Sequence, residues 1–167
     1  MVLFPPGPGG GKEVEHGYKG KGSLLHLITD KEGKPLWITT TSAKGNERIQ
    51  ALILLDQLEI SGCKDTKQVT ICEADKGYDS DELRQKMLER GYVPIIGYRK
   101  NRKERVKTDE IYNYFGVSKK RWVVERTFSW LKRKSRRLLM RWERLPEVWS
   151  AFASLGLIFM WLETLLG

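Results

Sequence analysis

The sequence predicts an α/β domain in which short parallel strands are flanked by helices, entered through an antiparallel hairpin and followed by two C-terminal helices. Three observations carry this expectation. Two runs dense in Leu, Ile and Thr, from Ser23 to Thr29 and from Pro35 to Thr41, are joined by Asp30-Lys31-Glu32-Gly33-Lys34, which is a hairpin pattern. Helical and β-prone segments then alternate from Asn46 to Gly97, and a β-α-β order at these lengths favours parallel strands. Beyond residue 118 the chain suits helix, broken once at Leu145-Pro146. At 167 residues and 40% hydrophobic content, one domain with one core is expected.

Taken in order, the opening Met-Val-Leu-Phe-Pro-Pro-Gly-Pro-Gly-Gly-Gly loses its apolar character after four residues. That is no signal peptide, and residues 1–11 are expected to form a mobile leader. Asp30 falls in the hairpin turn, where Asp commonly bonds its own backbone, so it is not a catalytic candidate. Between Asn46 and Ile60, residues Ile49, Leu52, Ile53, Leu55 and Leu58 recur at helical spacing, with Gly62 as a stop. Val69 to Ala74 is β-prone and ends at Asp75, after which Lys76-Gly77-Tyr78 turns into a helix. Asp79 and Glu82 have capping-box spacing, and Gly91 is placed to end that helix. Val93 to Gly97 reads as the next strand, Arg99 to Lys107 as a basic loop. Helices are expected from Ser118 to Glu143 and from Glu147 to Leu166. Ligands of such domains bind beyond the C-terminal ends of the strands, and Asp75 stands at such an end.

Thirty Lys and Arg against 21 Asp and Glu give a net charge of +9, which favours polyanionic partners through counterion release. The excess is local. Lys119 to Arg144 holds eleven basic residues and two acidic ones, Glu125 and Glu143, while the remainder is balanced; the segment looks like a binding surface. Cys63 and Cys72 are too few for a zinc site or disulfide framework and are expected as buried thiols of a cytosolic protein. With only His16 and His26 present, a Ser-His-Asp triad is not expected. Val148 to Leu162 carries no charge over fifteen residues, short of the roughly 20 needed to cross a bilayer, so it reads as a core helix with no membrane role.

On a helix advancing about 100° per residue, Glu125 lies about 40° from Arg121 and Lys132 about 20° from Glu125. These three make one polar ridge. Val123, Val124, Phe128, Trp130, Leu131, Leu138 and Trp142 fall on one side, and Arg126, Arg133, Arg136, Arg137 and Arg144 on the other. Trp122, Trp130, Trp142 and Trp149 suit either base stacking or helix packing, the latter above all for Trp130 and Trp142. Two readings of the acids stay open. Arg121–Glu125 is an ordinary i,i+4 pair worth about 0.2–0.5 kcal/mol and Asp75 a turn cap; or Asp75 and Glu125 converge on divalent metal beside a phosphate-holding face. Phosphodiester cleavage needs a deprotonated oxygen nucleophile and neutralisation of the leaving oxygen, which two metals supply, and hard carboxylate oxygens suit Mg²⁺.

Ala74-Asp75-Lys76-Gly77-Tyr78-Asp79-Ser80, followed by a helix and Gly91-Tyr92-Val93-Pro94, resembles the second-aspartate segment of insertion-sequence DDE transposases with an RNase H-like catalytic domain. Arg121-Trp122-Val123-Val124-Glu125-Arg126-Thr127-Phe128-Ser129-Trp130-Leu131-Lys132 is similar to their glutamate signature of Tyr, Arg, Glu and Lys. Arg, Glu and Lys match; Ser118 stands where Tyr is usual. Gly17 through Pro35-Leu36 resembles the family's first hairpin, so the likeness runs from about Gly10 to the C-terminus.

The resemblance implies an RNase H-like mixed sheet with flanking helices over residues 12–167. Asp75 and Glu125 are then catalytic metal ligands in a two-metal Mg²⁺ or Mn²⁺ site. Arg121, Lys132, Arg126, Arg133, Arg136 and Arg137 are DNA contacts. It also implies double-stranded DNA partners, both terminal inverted repeats and target, a homodimer in a synaptic complex, and a cytoplasmic, nucleoid-associated protein. The departure is at the front. Relatives carry the first catalytic Asp in an Asp-Gly-Ser/Thr-Phe-like segment, whereas Phe4 is preceded by Met1-Val2-Leu3. Asp30, Asp56 and Asp65 fall in a turn, a helix and a loop. The expectation is a domain truncated at its N-terminus, with its first strand missing, poorly soluble and unable to cleave DNA alone. Such a chain is a decayed remnant or a downstream frame fused by frameshifting. A non-catalytic basic nucleic-acid binder and a membrane-surface protein are the competing readings.

Overall fold

The computed structural model describes residues 2–60, 69–99 and 117–166, and for residues 60 and 117–121 the backbone alone. The fold is mixed α/β. It divides into two compact units, one of Met1–Leu54 with Val123–Gly167 and one of Leu55–Trp122. The elements in chain order are β1 (Val2–Leu3), β2 (Glu15–Gly17), β3 (Gly20–Thr29), β4 (Pro35–Ser42), α1 (Glu47–Ile60), β5 (Thr70–Ala74), α2 (Asp81–Glu89), β6 (Tyr92–Ile96), α3 (Val117–Lys134) and α4 (Pro146–Leu166).

In the first unit the expected hairpin is present: β3 and β4 pair antiparallel from Ser23↔Ser42 to Ile28↔Trp37, with the register shifting at Ile28/Thr29. Asp30 holds the turn as expected, its Oδ1 accepting from the backbone N–H of Glu32 at 2.9 Å and of Lys34 at 2.8 Å. The turn in turn holds α3. Thr127 Oγ1 donates to the Gly33 carbonyl at 2.6 Å and Arg126 Nη2 to the Glu32 carbonyl at 2.6 Å. Leu25, Leu27 and Ile38 from the sheet form the core with Phe128 and Leu131 of α3, Leu138, and Trp149, Ala153, Leu157 and Met160 of α4. The α4 residues recur at three- and four-residue spacing and so make one buried stripe. Trp161 Nε1 donates to the Pro35 carbonyl at 2.6 Å, and Lys134 pairs with Glu163.

Several expectations need correction here. Val2 and Leu3 form a two-residue strand that pairs antiparallel with His26 and Leu25, and Pro6 bridges Gly22. The opening segment, expected as a mobile leader, is therefore hydrogen-bonded into this sheet, and further bonds hold it, Gly7 N to Lys21 O and Lys12 N to Arg144 O.

The helix expected to reach Glu143 stops at Lys134, followed by a 3-10 turn at Arg136–Leu139. The reason is Arg141, which is fully buried. It donates to Ser23 Oγ at 2.6 Å, Lys12 O at 2.7 Å and Glu143 O at 3.0 Å, while its backbone N–H reaches Pro6 O at 2.8 Å. A buried guanidinium must spend its donors on oxygen, and these oxygens lie where an extended segment, not another helical turn, brings it. Leu138 stays in the core, but Trp142, assigned to helix packing, is exposed. By length and composition α4, at 21 residues, could cross a membrane, longer than the uncharged run suggested; its Trp149 stripe is packed in the core, while Val148, Leu155, Ile158, Phe159 and Leu162 are exposed.

In the second unit β5 and β6 pair parallel from Thr70↔Tyr92 to Ala74↔Ile96, as expected. Leu55, Leu58, Tyr78, Leu83, Met87, Tyr92, Ile95 and Ile96 are buried. Arg90, at the C-cap of α2, donates to both Asp56 oxygens, at 2.5 and 3.3 Å, and Gly91 follows at φ +73°, the left-handed end that favours glycine. The capping box is corrected: Ser80 is the N-cap, its Oγ accepting from Leu83 N–H at 3.3 Å, because Asp79 is drawn inward. Along α1, Leu54 is buried and the expected core residues Ile49 and Ile53 are exposed. Cys72 is half-buried, and burial pushes its thiol up to about 11, which leaves it protonated and inert. Cys63, Asp65 and most of the basic loop from Arg99 to Lys107 lie outside the described residues.

His26 is buried, with Nε2 2.8 Å from Thr41 Oγ1 and Nδ1 without a hydrogen-bond partner among the described residues. Burial lowers its pKa from 6.5 to about 4. The unfolded chain therefore binds the proton first, so stability is full above pH 6.5 and is lost as the pH falls towards 4. The loss from this group is at most about 3 kcal/mol. Urea melts across that window are expected to show the slope in the natural chain and a flatter one in His26→Leu, and NMR titration should place the imidazole midpoint near 4.

Candidate functional site

Asp75 lies in the second unit, one residue past the end of β5, in extended conformation with φ −75° and ψ 170°. It starts the 3-10 turn Lys76–Tyr78, and its Oδ1 accepts the Gly77 N–H at 2.7 Å. The carboxylate is thus a turn cap, as one sequence reading had it, with Oδ1 committed and Oδ2 making no described hydrogen bond. Gly77 permits this approach: a Cβ there would fall 2.8 Å from Asp75 Oδ1.

Three residues behind the turn reinforce it. Asp79, 1% exposed at its side chain, accepts from Arg84 Nη1 at 2.7 Å and from the Arg99 backbone N–H at 2.9 Å. Arg84 Nη2 also donates to the Ile96 carbonyl at 2.8 Å, with the Tyr98 ring 4.2 Å from its Cζ. Arg99 Nε and Nη2 donate to the carbonyls of Lys76 and Gly77 at 3.3 and 3.1 Å. Sequence reasoning missed this group. Two cap-capable residues, Asp79-Ser80, stand side by side, and the surplus acid was the available signal.

Glu125 lies in the first unit, exposed on α3. The rotation of that helix is fixed by Thr127 and Arg126 on the hairpin turn, which leaves Glu125 outside the core. The nominated DNA contacts sort differently from the expectation. Arg133 and Arg136 are exposed, and Lys132 is half-buried. Arg126 is occupied inside the unit, bonded to Glu32 O and stacked 4.6 Å from the centroid of Trp130. Arg137 pairs with Glu143 at 3.5 Å and lies 5.4 Å from the Phe152 ring. Arg136 and Arg137 belong to the 3-10 turn and Arg144 to the bend before α4, so the basic arc expected on one helix is spread over three conformations. The Arg121 side chain lies outside the described residues.

Asp75 and Glu125 offer hard oxygen donors of the kind Mg²⁺ and Mn²⁺ take, and Oδ2 of Asp75 is the oxygen left for it. Donor chemistry fits. Asp30 and Asp56 cannot add a third carboxylate, since the first is bound to two backbone N–H groups and the second to Arg90.

The chain is mixed α/β, with Asp75 one residue past a parallel strand and Glu125 exposed on a basic helix. A family described as "Transposase DDE domain" matches residues 5–161, and the chain belongs to this family of insertion-sequence transposases. The "Putative transposase for insertion sequence element IS402" of Burkholderia cepacia is 35% identical over 147 residues, covering 86% of this chain and 64% of that protein. The chain therefore spans less than two thirds of that relative's length.

Gly77→Ala tests the turn. The Cβ contact falls on the end of a side chain, so the carboxylate moves and the backbone need not. A change in stability within about 1 kcal/mol, measured by urea melt, is expected together with loss of the Asp75 bond to residue 77, seen as faster exchange of that amide.

Proposed function

We propose that this chain provides two of the three metal-binding carboxylates, Asp75 and Glu125, of an insertion-sequence DDE transposase that cleaves and transfers DNA strands. Residues 12–167, drawn from both units, act in this reading as one RNase H-like catalytic domain. The antiparallel hairpin followed by helix, strand, helix, strand and helix supports it. The observation that carries the reading is Asp75 itself: a carboxylate just beyond a parallel strand, anchored by one oxygen with the other turned to no described donor.

Mg²⁺ or Mn²⁺, when bound as a pair, activates the attacking oxygen and neutralises the leaving one. The chain's own residues do the rest. Asp75 and Glu125 hold the ions, and Arg121 and Lys132 meet phosphate or orient the glutamate. Arg133 and Arg136, exposed, bind phosphates of double-stranded DNA, at terminal inverted repeats and at the target. Arg137, exposed as well, joins them, whereas Arg126, bonded to Glu32 O and stacked on Trp130, acts on DNA through the surface it braces. A synaptic homodimer in the bacterial cytoplasm, close to the nucleoid, is the setting that belongs to this activity. In this reading cleavage requires a first Asp in addition to Asp75 and Glu125; among the described residues Asp30 and Asp56 are committed to other partners.

A binding assay separates this from a non-catalytic basic binder. For the transposase reading, adding Mg²⁺ tightens binding to a DNA duplex and Glu125→Gln abolishes the increment. For the simple binder, Glu125→Ala leaves affinity unchanged or raises it, and Mg²⁺ only screens. Charge loss at Arg133 and Arg136 lowers affinity in both cases and flattens the salt dependence by about one phosphate contact each.

A further inference from the structure

We infer that Asp79, Arg84 and Arg99 form a latch that holds the Lys76–Tyr78 turn and so positions Asp75, none of the three touching the reacting groups. The inference rests on the reading of Asp75 as a metal ligand.

The turn is intrinsically weak. The backbone bonds of this three-residue 3-10 helix include Tyr78 N to Asp75 O at 3.1 Å and Asp79 N to Lys76 O at 3.3 Å, and such short turns have poor hydrogen-bond geometry. Gly77 at its centre adds backbone freedom. Tyr78 is buried at the end of the turn, while the Asp75 end depends on its hydrogen bonds.

The latch closes a ring around this weak point. Arg99 follows β6 by three residues and bonds two successive carbonyls of the turn, those of Lys76 and Gly77. Its own N–H is held by Asp79 Oδ2, and Asp79 Oδ1 by Arg84. Arg84 returns to the last residue of β6 through the Ile96 carbonyl, braced by Tyr98. Together the links tie the turn after β5 and the first turns of α2 to the end of β6, which is the end of the parallel pair where Asp75 stands. Burying the Asp79 carboxylate against a guanidinium only 14% exposed contributes little net stability compared with apolar packing. What it supplies is a fixed geometry.

The arrangement assigns Arg99 a role that the basic loop reading did not. Both of its described side-chain bonds go to backbone carbonyls at the candidate site, so its guanidinium is a brace, not a phosphate contact. Arg99 is exposed, so replacing it tests the latch without emptying the core.

The experiment is amide hydrogen exchange and Mn²⁺ line broadening by NMR on the full chain and its Arg99→Ala, Arg99→Lys, Asp79→Asn and Asp75→Asn variants. In Arg99→Ala, Gly77 exchange is expected to rise about tenfold while Ile71 and Ile95 and the urea midpoint stay as they were. Arg99→Lys, which can reach one carbonyl at a time, should restore part of the protection. Asp79→Asn should match Arg99→Ala at Gly77, and if it fails to fold, Arg99→Ala decides alone. Gly77 exchange unchanged within about twofold in Arg99→Ala overturns the latch. The Mn²⁺ arm reads the metal assignment separately: broadening at Gly77 that Asp75→Asn removes and Arg99→Ala weakens supports both. Broadening equal in the natural chain and Arg99→Ala overturns positioning. Broadening indifferent to Asp75→Asn overturns the metal reading, and the latch then stands or falls on exchange.

Discussion

Asp79 is a carboxylate taken almost wholly out of water, and the second unit is organised by the need to satisfy it. An ionised acid at that depth must collect charged or N–H donors, and it collects Arg84 and the backbone of Arg99. Both donors come from the segments that flank the turn, one from α2 and one from the chain after β6. The strand ends cannot drift without breaking a charge-assisted hydrogen bond. On the proposed reading, Asp75, four residues earlier, takes its position from this network as well as from its own turn.

The first unit solves a related problem with other chemistry. Arg141 is fully buried with no carboxylate bonded to it; its donors go to two carbonyls and the hydroxyl of Ser23. This binds the N-terminal segment, β3 and the stretch after α3 into one piece. At the other end of the same sheet, Asp30 shapes the hairpin turn so that the carbonyls of Glu32 and Gly33 meet Arg126 and Thr127. That contact sets which side of α3 faces the core and thereby keeps Glu125 on the surface. Asp30 has no place in the proposed chemistry, yet it helps to fix a residue that does.

Much of this was legible in the sequence because it is written locally. The β3–β4 hairpin, the parallel pair, the C-terminal helix from Pro146 and the placing of Asp75 at a strand end follow from period, turn residues and proline. The errors fall where long-range partners override local pattern. A helix to Glu143 satisfied the apolar spacing of Leu138 and Trp142, but Arg141 leaves it for oxygens on Ser23 and Lys12, more than a hundred residues away. Asp79 had capping-box spacing and lost the role to Ser80 because Arg84 claimed it. Arg126 read as cationic surface, and Trp130 and Glu32 O hold it against the unit, while Arg137 stays exposed beside Glu143 and Phe152. The opening Pro and Gly residues suggested mobility, whereas Gly22 and Arg141 give them fixed partners.

The claim on which the account turns is that the carboxylates of residues 75 and 125 hold the same ions. Anomalous diffraction from crystals of the chain soaked in Mn²⁺, with a DNA duplex present, tests it most directly. The account predicts manganese density coordinated by both Asp75 Oδ2 and a Glu125 oxygen. Density bound at one carboxylate with the other remote, or at neither, would contradict it.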